Sequence, residues 1–297
     1  MNIRKAVITA AGREQRNLPL QTLVDRDGVE KTALQIVLEE VGAAGVDRVC
    51  LVIVPGDGDA YAKAAGEHAG RLHFVEQRQA GGYGHALSLA RDFTQNEPFL
   101  HLVSDHLYLS QGSARCAQQV VERARAERCA VSAVQPTREH MLPYYGTIGG
   151  RRVPRQTDLY EVENVLEKPT PSVAEQQLFV PGLRAGHYLC YFGIHVFTPA
   201  VLEMLDEAVA GADGRPVQLS PVLARLAGRE RYLALDVKGT RFNIGVKYGL
   251  LTAQLALALD GADRDNVLAQ LVELLALSGR HRPGRPATAP GAETTPT

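Results

Sequence analysis

Lys5-Ala6-Val7-Ile8-Thr9-Ala10-Ala11-Gly12 is the stretch that decides the fold. A short apolar run closed by glycine reads as a buried strand entering a turn whose backbone N–H groups can approach phosphate oxygens. Strand and helix signals then alternate, the pattern of a largely parallel sheet covered on both faces. Helical spacing over 32–44 stops at Gly45, and the continuous apolar run 49–54 is a buried strand closed by Pro55-Gly56. Further helices are expected over 59–69 and 84–93, and further strands over 72–76 and 98–103. A helix over 113–128 and a strand over 130–135 follow.

Beyond Tyr144 the texture becomes antiparallel, with strands over 146–152, 159–167 and 188–197. Helices are expected over 199–208, 216–226, 248–257 and 264–277, with a strand over 232–237. From Gly279 onward Pro, Gly, Thr and Arg dominate, the composition of a disordered tail over 279–297.

The 297 residues are 45% hydrophobic and 22% charged, enough to bury one large α/β core. A net charge of −1 argues against bulk electrostatic binding of nucleic acid or an anionic membrane. Small phosphorylated ligands need only local positive charge. The four cysteines have no ligand spacing, and Cys50 and Cys190 lie in apolar runs, as expected of buried thiols in a reducing cytoplasm. Met1-Asn2-Ile3-Arg4-Lys5 leads straight into the first strand, so no signal peptide is expected, and no apolar run reaches the roughly 18 residues that span a bilayer.

Three strand ends carry chemistry-bearing residues. After the first come Ala11, Gly12 and Arg16, the last able to neutralise phosphate. After the third comes Gln77-Arg78-Gln79-Ala80-Gly81-Gly82-Tyr83-Gly84-His85, where glycines admit a flat base and Gln77 offers both donor and acceptor. After the fourth comes Ser104-Asp105, a standard position for a carboxylate holding phosphate-bound Mg2+. Ligands of open α/β sheets sit at such ends, so Gly12, Gln77 and Asp105 are expected to face one crevice. Glu167-Lys168-Pro169 closes a later strand, and its Lys can meet a sugar phosphate as a point charge. The three-glycine dinucleotide fingerprint is absent, which disfavours a Rossmann oxidoreductase.

The order of these pieces resembles the bacterial sugar-phosphate nucleotidyltransferases, and most closely the UTP–glucose-1-phosphate uridylyltransferases. The matching residues are Lys5 to Gly12, Arg16 with Leu18-Pro19, Gln77 with Gly82-Tyr83-Gly84-His85-Ala86, Ser104-Asp105 and Tyr145-Gly146. They continue with Val165 to Pro169, Tyr191-Phe192-Gly193, Val217-Gln218-Leu219-Ser220 and Phe242-Asn243-Ile244-Gly245. The resemblance implies an α/β, Rossmann-like three-layer nucleotidyltransferase fold over 1–278. Its central sheet would be mixed and mostly parallel, with a small antiparallel sugar-binding subregion.

It further implies a cytoplasmic enzyme that joins UTP, or dTTP, to a hexose-1-phosphate, releases pyrophosphate and uses Mg2+. Ala11, Gly12, Gln77 and Gly82 would hold the nucleotide, and Arg16, Asp105 and Lys168 would be catalytic. Gly146, Glu167, Lys168 and Gly193 would surround the sugar phosphate, with Asp105 and Asn243 on the metal. A homo-oligomer is also implied.

Three departures all touch the triphosphate and metal. Glu14 stands where the family's first loop has a glycine. The family's Lys after Leu-Pro is missing, with Gln21, Thr22, Arg26 or Lys31 as stand-ins. Asn243 replaces a metal aspartate, an amide oxygen without charge. Two readings therefore stand: a working uridylyltransferase with substituted cations, or a homologue that binds nucleotide sugar as a regulatory or partner subunit without turnover.

Overall fold

The computed structural model describes residues 1–279, so the tail expected to be disordered lies, apart from its first residue, outside the described residues. The opening strand β1 (Lys5–Thr9) is wholly buried. It leads through a turn to a small hairpin, β2 (Thr22–Val24) with β3 (Glu30–Thr32). Helix α1 (Ala33–Ala43) starts where Thr32 caps it: the Thr32 hydroxyl accepts from the Gln35 N–H while Gln35 Oε1 accepts from the Thr32 N–H.

Strand β4 (Arg48–Ile53), helix α2 (Gly58–Ala65), a 3-10 segment to Arg71 and strand β5 (Leu72–Glu76) follow. The helix expected over 84–93 is two pieces, α3 (Gly82–Ser88) and α4 (Arg91–Thr94). The Ser88 hydroxyl donates back to the His85 carbonyl at the break, a bond that competes with helix continuation. Strand β6 (Phe99–Val103) turns at Ser104-Asp105 into β7 (His106–Ser110), and helix α5 (Cys116–Glu127) leads to β8 (Ala130–Arg138).

The later half contributes β9 (Gly146–Arg152), β10 (Leu159–Glu167), α6 (Pro171–Gln177) and the long buried β11 (His187–Phe197). Then come α7 (Pro199–Ala210), α8 (Leu219–Arg229), β12 (Tyr232–Asp236), β13 (Gly239–Asn243), α9 (Gly249–Asp260) and α10 (Arg264–Gly279). Helix α8 begins three residues later than its sequence pattern, because 216–218 runs extended beside the glycine-rich loop. There the Val217 N–H donates to the Gly81 carbonyl and the Val217 carbonyl accepts from the Gly84 N–H.

Nine strands form the central sheet in the order β5-β4-β1-β6-β11-β8-β12-β10-β9. The first four are parallel, and β11 joins them antiparallel to β6. Of the remaining pairs, β8 and β12 are parallel, whereas β10 runs antiparallel to both β12 and β9. The sheet is thus mixed as expected, with small antiparallel ribbons beside it. One ribbon, β7 with β13, and the hairpin β2–β3 carry too short or too polar a pattern to be read from sequence. Two large apolar clusters cover the sheet's faces, one built on Ile8, Leu51 and Leu102, the other on Val7, Phe99 and Phe197. All four cysteines are buried and free. Among the described residues no helix is long and apolar enough to cross a membrane.

Candidate active site

Parallel strands β1, β5 and β6 end on the same edge of the sheet, and their following turns open a cleft of about 860 Å³. Ala11, Gly12, Gln77, Gly82 and Asp105 line it from that half, and Glu167, Lys168 and Asn243 line it from the other. The expectation that Gly12, Gln77 and Asp105 face one crevice holds.

The wall around Gln77 is interlocked. Gln77 is buried, and its Nε2 donates to the Gly82 carbonyl and to His85 Nδ1, both at 3.1 Å. Both amide hydrogens are thereby used, leaving Oε1 as an acceptor without a partner among the described residues. Gly82 adopts φ +89, and a Cβ there would lie 2.6 Å from the Val217 carbonyl oxygen. The loop's glycines therefore serve the close approach of the 216–217 segment as well as any ligand.

Beneath them, the Tyr83 hydroxyl lies 2.6 Å from His101 Nε2, and His101 Nδ1 lies 2.9 Å from the Val7 carbonyl. The carbonyl requires the proton on Nδ1, so Nε2 accepts from Tyr83. Burial pushes His101 down to about 4, so the ring is neutral. The chain of polar groups continues from His195 through Ser132 and Tyr232 to Tyr191.

The opposite wall is built on Asp105. Burial alone would raise its carboxyl, but His106 beside it (2.8 Å), its own backbone and Gln15 hold it below the usual range. The turn is tied to β13 where the Ile244 N–H donates to the Asp105 carbonyl, 2.9 Å. That bond brings Asn243 beside Asp105, although they are far apart in sequence. Asn243 Oδ1 accepts from the Gly245 N–H at 2.8 Å.

Cations on this side are Arg13, Lys168 and Lys247, all in exposed turns. Lys168 follows Glu167 at φ +47, a left-handed conformation uncommon for a side-chain-bearing residue, and Tyr248 after Lys247 sits at φ +63. Glu167 Oε2 accepts from the Ser220 hydroxyl, 2.5 Å, which orients the carboxylate at the cleft edge.

Three expected residues are not in the cleft lining. Arg16 turns outward, its Nη1 3.6 Å from Asp57, because the turn bends at Gln15. Arg13, three residues earlier, takes the cleft-facing place. Gly146 lies behind Glu167, where a Cβ would come within 3.2 Å of Glu167 Oε2. Gly193, φ +88, packs against Val103, and its carbonyl accepts from the Tyr108 hydroxyl. Nor do the stand-ins for the missing loop lysine reach the cleft. Lys31 is held by Asp25, Asp27 and Glu39, Arg26 by Asp260, and Gln21 bonds the Asn17 carbonyl. Thr22 lies in the β2–β3 hairpin. Lys247 is the cation that sequence reasoning passed over. Its signal was present, two residues beyond the glycine turn Asn243-Ile244-Gly245.

The UTP–glucose-1-phosphate uridylyltransferase of Bacillus subtilis is 27% identical over 304 residues, 91% of this chain and 96% of its own length. The chain is a homologue of these uridylyltransferases. The Streptococcus pneumoniae enzyme of the same name is 26% identical over 92% of the chain. Among solved structures, a UDP-glucose pyrophosphorylase complexed with UDP-glucose superposes with TM-score 0.70 at 24% identity, covering 86% of this chain and 98% of its own. The Acinetobacter baumannii UDP-glucose pyrophosphorylase gives 0.72 at 22%, covering 92% and 100%. At these identities the superpositions bear on the fold. No family model matches the chain.

Proposed function

We propose that the protein forms UDP-glucose and pyrophosphate from UTP and glucose-1-phosphate. The observation carrying this reading is that Gln77, Asp105 and Lys168, from three separate turns, line one cleft in a homologue of uridylyltransferases. A phosphate oxygen of the sugar phosphate attacks the α-phosphorus of UTP. A P–O bond forms there as the bond to the bridging oxygen breaks, and pyrophosphate leaves with that electron pair. No protein nucleophile is needed, so the residues act by holding the reactants in line and neutralising charge.

Gln77 Oε1 accepts the N3–H of uracil, which thymine also carries and cytosine lacks. Lys168 holds the attacking sugar phosphate beside Glu167, whose carboxylate takes sugar hydroxyls. Arg13 and Lys247 replace Arg16 and the loop lysine as partners of the leaving phosphates.

Among the described residues no cluster of three or more His, Cys, Asp or Glu side chains could hold an ion unaided. One ionised carboxylate with an amide oxygen nearby fits Mg2+ that arrives with a nucleotide, since that ion takes one or two carboxylates plus substrate phosphates. Asp105 and Asn243 would hold it, and it would neutralise developing phosphate charge. Asp105 is kept ionised by His106, ready for that role.

Pyrophosphate release from UTP, glucose-1-phosphate and Mg2+ tests the reading directly. Asp105→Ala should lower the rate by about 10³-fold or more, and CTP should be a poor substitute. No release with any pairing, alongside a melting-temperature rise with UDP-glucose, would establish the binding-subunit reading. Its relatives being named as enzymes weighs against that alternative.

A further inference from the structure

A second recess, about 360 Å³, shares no lining residue with the cleft. Gln135, Thr137, Arg138, His140, Tyr145 and Arg241 are among its walls, and no Asp or Glu is. Arg241, on β13, is only 8% exposed. Its guanidinium stacks 3.7 Å from the centroid of the Tyr145 ring. Nη1 donates to the Cys190 carbonyl at 3.4 Å and Nη2 to the Thr137 hydroxyl at 3.3 Å. Both bonds are longer than good N–H···O bonds of about 2.7–3.2 Å. Nε is buried with no hydrogen-bond partner among the described residues.

Arg241 makes no ion pair among the described residues, and neither does Arg138 at the recess. A buried guanidinium without a counter-ion is costly, because its charge has left water and gained only weak dipoles in return. The arrangement is relieved by an anion that supplies several acceptor oxygens in the plane of the fork. Phosphate geometry matches that fork, and Arg binds it bidentately.

We propose that this recess is a second anion site, taking a small phosphorylated metabolite by its phosphate group. Arg241 supplies the buried contact and Arg138 a second, exposed charge. The volume admits a phosphate bearing a few carbons rather than a nucleotide, as it falls near the lower end of small-molecule pockets. Tyr145 forms the partition: its ring meets Arg241 on one side and His106, the partner of Asp105, at 6.3 Å on the other.

Calorimetric titration of the full-length protein with inorganic phosphate and, separately, glycerol 3-phosphate tests this without turnover, so the result stands apart from nucleotidyl transfer. In each titration where binding is seen, Arg241→Met should remove one class of binding, and Arg138→Gln should weaken that class about tenfold. Binding of the ester more tightly than the free ion marks a metabolite as the occupant. Binding of the free ion alone marks inorganic phosphate. Arg241→Met is expected to fold, since an uncompensated buried charge is replaced by an apolar chain. Should it not, Arg241→Lys, which keeps the charge and loses the fork, should weaken binding about tenfold. Equal binding by wild type and Arg138→Gln, or no binding by wild type at about 10 mM of either probe, overturns the proposal.

Discussion

The two walls of the cleft are built on opposite plans. On the base side Gln77, Gly82, Tyr83 and His101 are tied to one another by hydrogen bonds within or at the edge of the core. On the phosphate side Arg13, Lys168 and Lys247 project from exposed turns, and Lys168 lies 3.9 Å from its neighbour Glu167. On the proposed function, the difference follows from what each wall would recognise. A pyrimidine is told from its competitors by the direction of a few hydrogen bonds, which requires fixed partners. A polyphosphate is recognised by charge, which solvated side chains can deliver once the ligand is present.

The largest expected effect breaks the base wall with acid. His101 is held at about 4 in the fold against about 6.5 unfolded. Its contribution is therefore fully present above about pH 6.5 and is lost progressively as pH falls towards 4. Chemical unfolding across that window should show a decline of about 3 kcal/mol, with buried His195 adding to it. A flat profile would mean that this wall is not locked by neutral histidines.

Next in size is the phosphate wall. Lys247→Ala should lower kcat/KM for UTP by about 30-fold, whereas Arg16→Ala, paired with Asp57 outside the cleft, should change it less than about threefold. Equal losses would return Arg16 to the site and end the contrast. The smallest effect sharpens it: Asn243→Asp should reduce the Mg2+ needed for half-maximal rate by several-fold, about 1 kcal/mol, by adding charge beside Asp105. An unchanged Mg2+ requirement would remove position 243 from the metal's surroundings.

Much of this was legible because it is local. The strands over 72–76, 146–152 and 159–167 fall where their patterns put them, and Gln77 and Asp105 sit at strand ends that any parallel sheet brings to one edge. Arg16 lies against Asp57 and not among the cleft-lining residues, a placement sequence could not give because a turn's course leaves no periodic mark. Lys31 is a possible stand-in for the loop lysine by sequence, yet three carboxylates hold it.

The chain by itself determined the layered α/β fold and the crevice at the strand ends that Gly12, Gln77 and Asp105 line, since apolar periodicity and glycine placement act over a few neighbours. Only the tertiary structure decided which cations line the cleft, that 216–217 occupies the glycines' open backbone, and that Arg241 is buried without an acid among the described residues. Those outcomes depend on which distant segments arrive at the same place, as when β13 pairs with β7 and carries Asn243, Lys247 and Arg241 to the cleft and its neighbouring recess.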